Sequence, residues 1–279
     1  MWNNLPLFIK RRVRQRTGAG LASSLTSERG FDVKGIRDFQ MGDSLRAVDR
    51  THFVRFGKAV VLERSPDRNA VILFLVDVSA SEHLGCAKTK KERMFEVLRG
   101  IAQACFAKGH RIMFCAFTTR VEYESNLIAG AHTLEGALTD LANRAFREKK
   151  TNPKKALDRA WELATRSSCP VDLVCIASDF LFPKPYVREL EELSDATDVI
   201  ALTMRDPIET DMPPIAGGYM VQDAETGETY YASSASGVEP TSHLESLGID
   251  VCILDTQGSE DDDFQAISDF FTLRSEKGG

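Results

Sequence analysis

The segment Val71-Ile-Leu-Phe-Leu-Val-Asp-Val-Ser-Ala-Ser81 runs six apolar residues straight into Asp77, Ser79 and Ser81. In extended backbone, residues two apart point the same way, so this spacing offers one carboxylate and two hydroxyls to a common point. Two other places supply oxygen: Thr151, just ahead of a helix start at Asn152-Pro153-Lys154, and Asp179, after the apolar run from Val171 to Ala177. Asp77, Ser79, Ser81, Thr151 and Asp179 together give three hydroxyls and two carboxylates. An oxygen-only set of this kind suits a hard divalent cation, Mg²⁺ or alternatively Mn²⁺. Without a cation the two carboxylates would repel one another. Each residue also has a local use. Ser and Asp after a strand cap helices, Thr151 or Asn152 before Pro153 is an N-cap arrangement, and Asp179 can open its loop. Thr118 and Thr119, at the end of another apolar run, rival Thr151 for the hydroxyl position.

The elements that must position these residues are legible from periodicity. The run 71–76 is too short to span a membrane and is bounded by polar residues, so it reads as a parallel strand buried on both faces. Lys88 to Lys108 carries Met94, Val97, Leu98, Ile101, Ala102 and Cys105 at helical spacing and is closed by Gly109. Arg111 to Phe117 is the next strand, and 121–128 reads as an edge strand that pairs antiparallel. Helices are predicted over Thr133 to Lys149 and Pro153 to Thr165, the second with Ala156, Leu157, Ala160, Trp161 and Ala164 inward. A strand over Val171 to Ala177, a helix over Pro185 to Leu193 and a strand over Val199 to Met204 follow. Residues 205–240 break the rhythm with prolines and Gly217-Gly218, and read as a β-hairpin insertion with strands at Tyr219 to Gln222 and Glu228 to Ala232. A strand over Val251 to Leu254 and a helix over Asp262 to Leu273 finish the pattern. The acidic cluster Glu260 to Asp263 marks that helix's N-terminus, where the backbone dipole favours negative charge. Alternating helices and strands imply an α/β fold with a doubly wound, mainly parallel sheet. Residues 1–65 precede it as an N-terminal extension, and 66–279 form the core domain.

Composition narrows the function classes. With 279 residues and 43% hydrophobic content, the chain can bury a sizeable core. A formal charge of -6 argues against a surface built for nucleic acid. The basic run Lys10, Arg11, Arg12, Arg14 and Arg16 behind Leu5-Pro-Leu-Phe-Ile9 is a local exception, offering a weak contact to an anionic membrane surface or a solvated end. No later segment approaches the ~20 apolar residues of a spanning helix. The cysteines Cys86, Cys105, Cys115, Cys169, Cys175 and Cys252 form no C-x-x-C pair and read as reduced residues of a cytoplasmic protein.

The order D-x-S-x-S at 77–81, a Thr ahead of a helix at 151 and an Asp after a later strand at 179 resembles the metal-ion-dependent adhesion site of von Willebrand factor A domains. On that resemblance the five positions hold Mg²⁺, partly through water, and an acidic side chain of a partner completes its octahedron. Gly35-Ile-Arg-Asp-Phe-Gln-Met-Gly-Asp-Ser-Leu-Arg-Ala-Val-Asp49, Ile176-Ala-Ser-Asp-Phe180 and the hairpin with Asp223-Ala-Glu-Thr-Gly227 widen the likeness. Together with Asp77-Val-Ser-Ala-Ser81 they resemble a bacterial family of uncharacterised proteins of von Willebrand factor A fold, commonly encoded beside MoxR-type AAA+ ATPases. The resemblance implies a Mg²⁺-dependent protein-interaction module, partner or adaptor of such an ATPase in complex assembly. Two other functions are weighed against it: a metal-dependent phosphoryl-transfer enzyme or hydrolase using Asp77, and a scaffold with an empty site. The enzyme reading lacks a second carboxylate two residues after Asp77, a GxxxxGK[ST] or GxGxxG loop, and a recognisable Ser-His-Asp set. His83 has no second His or Cys at metal spacing and reads as a surface residue.

Overall fold

The computed structural model describes residues 1–10, 33–39, 57–64, 69–83, 88–144, 146, 150–166, 168–181, 186–206, 219–222, 227–232 and 241–277. A 3-10 turn at Trp2–Asn4 opens the chain, followed by β1 (Val33–Asp38), β2 (Val60–Arg64) and β3 (Val71–Asp77). A second 3-10 turn, Ala80–His83, leads to α1 (Lys90–Ala107), β4 (Arg111–Phe117), β5 (Val121–Glu124), α2 (Ala131–Asn143) and α3 (Lys154–Thr165). Then come β6 (Leu173–Ala177), α4 (Val187–Ala196), β7 (Asp198–Arg205), the hairpin β8 (Tyr219–Gln222) and β9 (Thr229–Ala232), α5 (Ser242–Ser246), β10 (Asp250–Asp255) and α6 (Glu260–Lys277). Arg11 to Arg16 of the basic run, residues 40–49 of the first motif, Cys86 and the hairpin residues 223–226 lie outside the described residues, as does the side chain of His83.

Six strands form one sheet in the order β10-β7-β6-β3-β4-β5, parallel except for β5, which runs antiparallel to β4 as its alternation predicts. β1 with β2, and β8 with β9, are separate antiparallel pairs. The central strand β3 is buried along its whole length because each face is covered. Ile72, Phe74 and Val76 pack under α1, α2 and α6 with Leu98, Ile101, Leu138, Ile267 and Phe271. Val71, Leu73 and Leu75 pack under α3 and α4 with Leu157, Ala160, Leu190 and Leu193. Side chains of a strand alternate between faces, so a strand covered twice must be apolar at every position. That is the sequence pattern of 71–76.

Two expectations are corrected. Trp161 is 43% exposed; the inward stripe of α3 is Ala156, Leu157, Ala160, Leu163 and Ala164, and Trp161 lies about 100° around the helix from its centre. α2 ends at Asn143 rather than Lys149, because Arg144 turns to extended backbone at φ -74°, ψ 129°. α1 is anchored at its start by a capping box, the Thr89 hydroxyl accepting from the Glu92 N–H while Glu92 reaches back to the Thr89 N–H. Gly109, at φ +77°, follows the helix end where left-handed backbone suits glycine. The described cysteines are free, and burial pushes the thiols of Cys105, Cys115 and Cys252 up to about 12.

The first ten residues are fastened to the core at two points. Trp2 lies against α1 and α6, edge-on to Phe264 at 5.5 Å, with its indole N–H donating to Glu260 at 3.0 Å. A Cβ added at Gly100 would sit 2.2 Å from Trp2 Cε2, so helix and indole meet only because residue 100 has no side chain. At the N-terminal rim of the sheet, the guanidinium of Arg274 is buried among Asp198, Asp250 (2.7 Å) and the Phe8 carbonyl (3.0 Å), while the Lys10 ammonium pairs with Asp250 and the Lys10 backbone N–H donates to Asp198 at 2.7 Å.

Two stability experiments test these fastenings. Alanine normally strengthens a helix over glycine by about 1 kcal/mol. Gly100→Ala is expected instead to lower stability by about 1–3 kcal/mol through overpacking and to red-shift Trp2 emission; in a Trp2→Ala background the same change becomes neutral or stabilising. Arg274→Met strands Asp198 in the interior and is expected to cost about 3–5 kcal/mol in urea unfolding; a loss within the range of a surface substitution would show the network to be dispensable.

Candidate functional site

After β3 the chain crosses to β4 on one side, and later returns to place β6 on the other. The crevice beyond the C-terminal ends of β3 and β6 is therefore the point where the winding reverses, the place where open α/β sheets receive ligands. Asp77 is the last residue of β3, and Ser178-Asp179 directly follow β6. Both carboxylates are buried.

Hydrogen bonds lock this arrangement. Asp77 Oδ1 accepts from the Ser79 N–H at 2.9 Å, and Oδ2 accepts from the Ser178 hydroxyl at 2.9 Å. The same Ser178 oxygen accepts the Phe180 N–H at 3.1 Å, which turns the chain through a left-handed residue at Phe180, φ 56°. Such a conformation is costly for a residue with a Cβ and needs its surroundings to enforce it; here the Phe180 ring is buried. Ser79 and Ser81 hydroxyls lie 3.2 Å apart, brought together by the 3-10 turn Ala80–His83 that follows the strand rather than by extended backbone. The 3-10 turn after β3 adds Glu82, whose Oε1 accepts the Asp179 N–H at 3.0 Å. Asp179 Oδ1 accepts from the Leu181 N–H at 3.0 Å, and its Oδ2 faces the ammonium of Lys90 at 3.0 Å. Lys90 is fully buried.

One carboxylate oxygen from each of Asp77, Glu82 and Asp179 lies within 4.8 Å of the others. Burial first, and then the charge of Asp179, push Asp77 up to about 7. Burial, followed by the charges of Asp179 and Asp77, holds Glu82 well above the usual carboxylate range, with Lys90 opposing. Three acids face the Lys90 ammonium, and the Arg205 guanidinium donates to the Asp179 carbonyl at 3.1 Å, so the acids still outnumber the cations beside them.

Of the five residues read from sequence, Asp77, Ser79 and Ser81 are linked by hydrogen bonds, and Asp179 brings a carboxylate oxygen within 4.8 Å of Asp77. Thr151 is buried on the same rim, where the N–H of its neighbour Asn152 donates to the Thr118 carbonyl at 3.0 Å and Val78 bonds to Phe117. Its rival Thr118 turns its hydroxyl to Glu122 at 3.0 Å. The sequence reading missed Glu82, Lys90 and the role of Ser178. Glu82 falls outside the two-residue alternation because the chain leaves extended backbone after Asp77. The position of Lys90 at the start of α1, immediately after its cap, was the available signal: a cation there opposes the helix dipole and so calls for a local anion.

Residues 35–236 match the family model described as "Protein of unknown function DUF58". Uncharacterized protein Rv1480 of Mycobacterium tuberculosis and Uncharacterized protein Mb1516 of Mycobacterium bovis are each 26% identical over 205 residues, or 68% of this chain. The chain spans 60% of the length of those relatives. Among solved structures, conserved hypothetical protein BatB from Bacteroides thetaiotaomicron is similar with a TM-score of 0.52 at 11% identity, over 75% of this chain and 100% of that one. An aerotolerance-related membrane protein from Bacteroides fragilis gives 0.50 at 13% identity, over 74% and 100%. A von Willebrand factor type A protein from Catenulispora acidiphila gives 0.44 at 12%, over 79% and 45%. At such identities the likeness is one of fold alone: mixed α/β, with a six-stranded and mostly parallel sheet.

The charge imbalance predicts opposite effects for two conservative changes. In EDTA at pH 8, Glu82→Gln keeps an acceptor for the Asp179 N–H while removing a buried acid whose pKa the fold raises, and with it the cost of either burying the charge or holding the proton, and is expected to raise stability by about 1 kcal/mol. Asp179→Asn leaves the Lys90 ammonium without its carboxylate and is expected to lower it by about 3 kcal/mol or more. Thermal melts of the two variants beside wild type check both signs.

Proposed function

This chain belongs to the DUF58 family of proteins of unknown function, and from that premise we propose that its crevice holds a divalent cation, Mg²⁺ or Mn²⁺, and uses it to bind an acidic side chain of a partner protein. The observation that carries this reading is the buried trio Asp77, Glu82 and Asp179, with carboxylate oxygens within 4.8 Å of one another at the sheet's reversal point. The donors fit such an ion: all are oxygens, and the Ser79 and Ser81 hydroxyls lie 3.2 Å apart in the turn that follows Asp77. Asp77, Ser79, Ser81, Thr151 and Asp179 would hold it, with Glu82 as an additional carboxylate. When bound, the cation supplies an electrophilic contact point for a carboxylate, selective through geometry and charge.

The chain's own residues do the positioning. Ser178 and the Ser79 N–H fix both oxygens of Asp77, and the backbone of Asp179 fixes Glu82. Preset carboxylates lose little freedom on binding, which favours affinity. The function proposed is binding; no bond is broken. The partner chemistry is an acidic protein surface. A MoxR-type AAA+ ATPase or its client, in the cytoplasm, is the partner class that the family resemblance implies. No helix among the described residues is long and apolar enough to cross a membrane.

Metal addition tests the reading. At ten times its Kd the ion is expected to stabilise the fold by about 1.4 kcal/mol, a shift of a few degrees in Tm, and Asp77→Ala abolishes that shift while the apolar sheet stays folded. In parallel affinity purifications with Mg²⁺ present, an AAA+ ATPase retained by wild type is lost from Asp77→Ala. Absence of any shift with Mg²⁺ or Mn²⁺ up to millimolar concentration sinks the proposal.

A further inference from the structure

Lys90 has no counterpart among the five residues read as ion ligands, and its placement is costly. An ammonium removed from water carries a desolvation penalty of several kcal/mol, and the first turn of a helix is the wrong end of the dipole for a cation. Yet the Lys90 side chain is fully buried, with Nζ 3.0 Å from Asp179 Oδ2. The capping box at Thr89 and Glu92 fixes where α1 begins, and so delivers residue 90 to the crevice.

We propose that Lys90 is a resident counter-cation that stands in for the metal, and that metal binding displaces its ammonium from Asp179. The inference rests on the reading of the crevice as a cation site. Both Asp179 oxygens are engaged: Oδ1 by the Leu181 N–H and Oδ2 by Lys90. The Leu181 bond is part of the backbone turn after β6. The Lys90 bond is the one that a flexible four-carbon stem can give up, and the neighbouring Lys88 at the mouth of the helix is already exposed. A metal drawing on Asp179 therefore competes with the ammonium for the same oxygen. Competition of this kind gives the crevice two states. In one, Lys90 closes it and the fold needs no ion; in the other, the ion is bound and a freed ammonium stands at the rim beside it. The second state presents two positive groups to an acidic partner, and the first presents none.

The full-length chain serves for the test, with Mn²⁺ as the probe. Calorimetric titration of Lys90→Met is expected to give a Kd about tenfold tighter than wild type, because the variant has no buried ammonium to displace. Its metal-free form is less stable than wild type and is rescued by Mn²⁺. In wild type, the acetylation rate of Lys90, read by mass spectrometry, is expected to rise about fivefold or more between EDTA and saturating Mn²⁺ as the amine leaves its protected site. This labelling needs no substitution, so it decides the matter even where Lys90→Met does not fold. Three acids and one ammonium would also balance with a divalent ion while Lys90 stays in place. In that event wild type binds Mn²⁺ but labelling is unchanged, or the variant binds no tighter; displacement is overturned and the metal reading stands. Binding by Lys90→Met alone would leave the counter-cation standing and remove the metal reading from the natural protein, and binding by neither folded protein removes both.

Discussion

Three carboxyl groups brought together inside a low-dielectric crevice set the constraint on which the C-terminal rim of the sheet depends. Asp77, Glu82 and Asp179 are buried and mutually close, and a carboxylate out of water favours its charged form only if hydrogen bonds and cations compensate it. The compensation visible in the structure is partial: N–H groups of Ser79, Asp179 and Leu181, the Ser178 hydroxyl, the Lys90 ammonium, and the Arg205 guanidinium on the Asp179 carbonyl. Everything else about the C-terminal rim follows from keeping these groups in place, including the left-handed turn at Phe180 and the capping box that sets the first turn of α1.

The opposite rim makes an instructive contrast. There, two carboxylates, Asp198 and Asp250, face two cations, Arg274 and Lys10. Charge is balanced, and the arrangement ties the first ten residues and the last helix to the strand starts. It is a structural fastening. At the C-terminal rim, among the described residues, three carboxyl groups face the Lys90 ammonium, with the Arg205 guanidinium on the Asp179 carbonyl, so acids still outnumber cations, and a folded protein gains nothing in stability from such a deficit. An imbalance confined to the end of the sheet where ligands enter, and absent from the end where they do not, is what a site awaiting positive charge would look like.

Between the rims lies a sheet whose role is to hold both in register. β3 is apolar at every position before Asp77 because α1, α2 and α6 cover one face and α3 and α4 the other. Close packing on both sides leaves the strand end little freedom, so Asp77 is presented at a fixed height relative to Asp179 on the neighbouring chain segment. Rigid presentation of that kind is what a binding site built on strand ends requires.

Local spacing told most about elements and about residues on the same element. Six apolar residues ending in Asp77 specified a doubly covered strand, a property of extended backbone fixed by neighbours in sequence; Ser79 and Ser81 meet for a different reason than the alternation read from sequence, since the strand ends at Asp77 and Ser81 lies in the 3-10 turn Ala80–His83. The antiparallel edge read over 121–128, of which 121–124 forms the strand and Ile128 an isolated bridge to Ile112, and the helix periodicities were legible for the same reason as that strand. Trp161 was misjudged because residues at the border of a helical stripe satisfy the spacing without satisfying the packing, and only neighbouring elements decide where the stripe's edge falls. Glu82, Lys90 and the bond from Ser178 to Asp77 could not be read from spacing at all. They meet through separations of 97, 89 and 101 residues along the chain, across the point where the winding of the sheet reverses. The sequence by itself determined which strands would be buried and which side chains each would carry to its end; the tertiary structure alone decided which of those ends lie side by side, because parallel connections bring distant segments together by handedness and packing, which no local run of residues encodes.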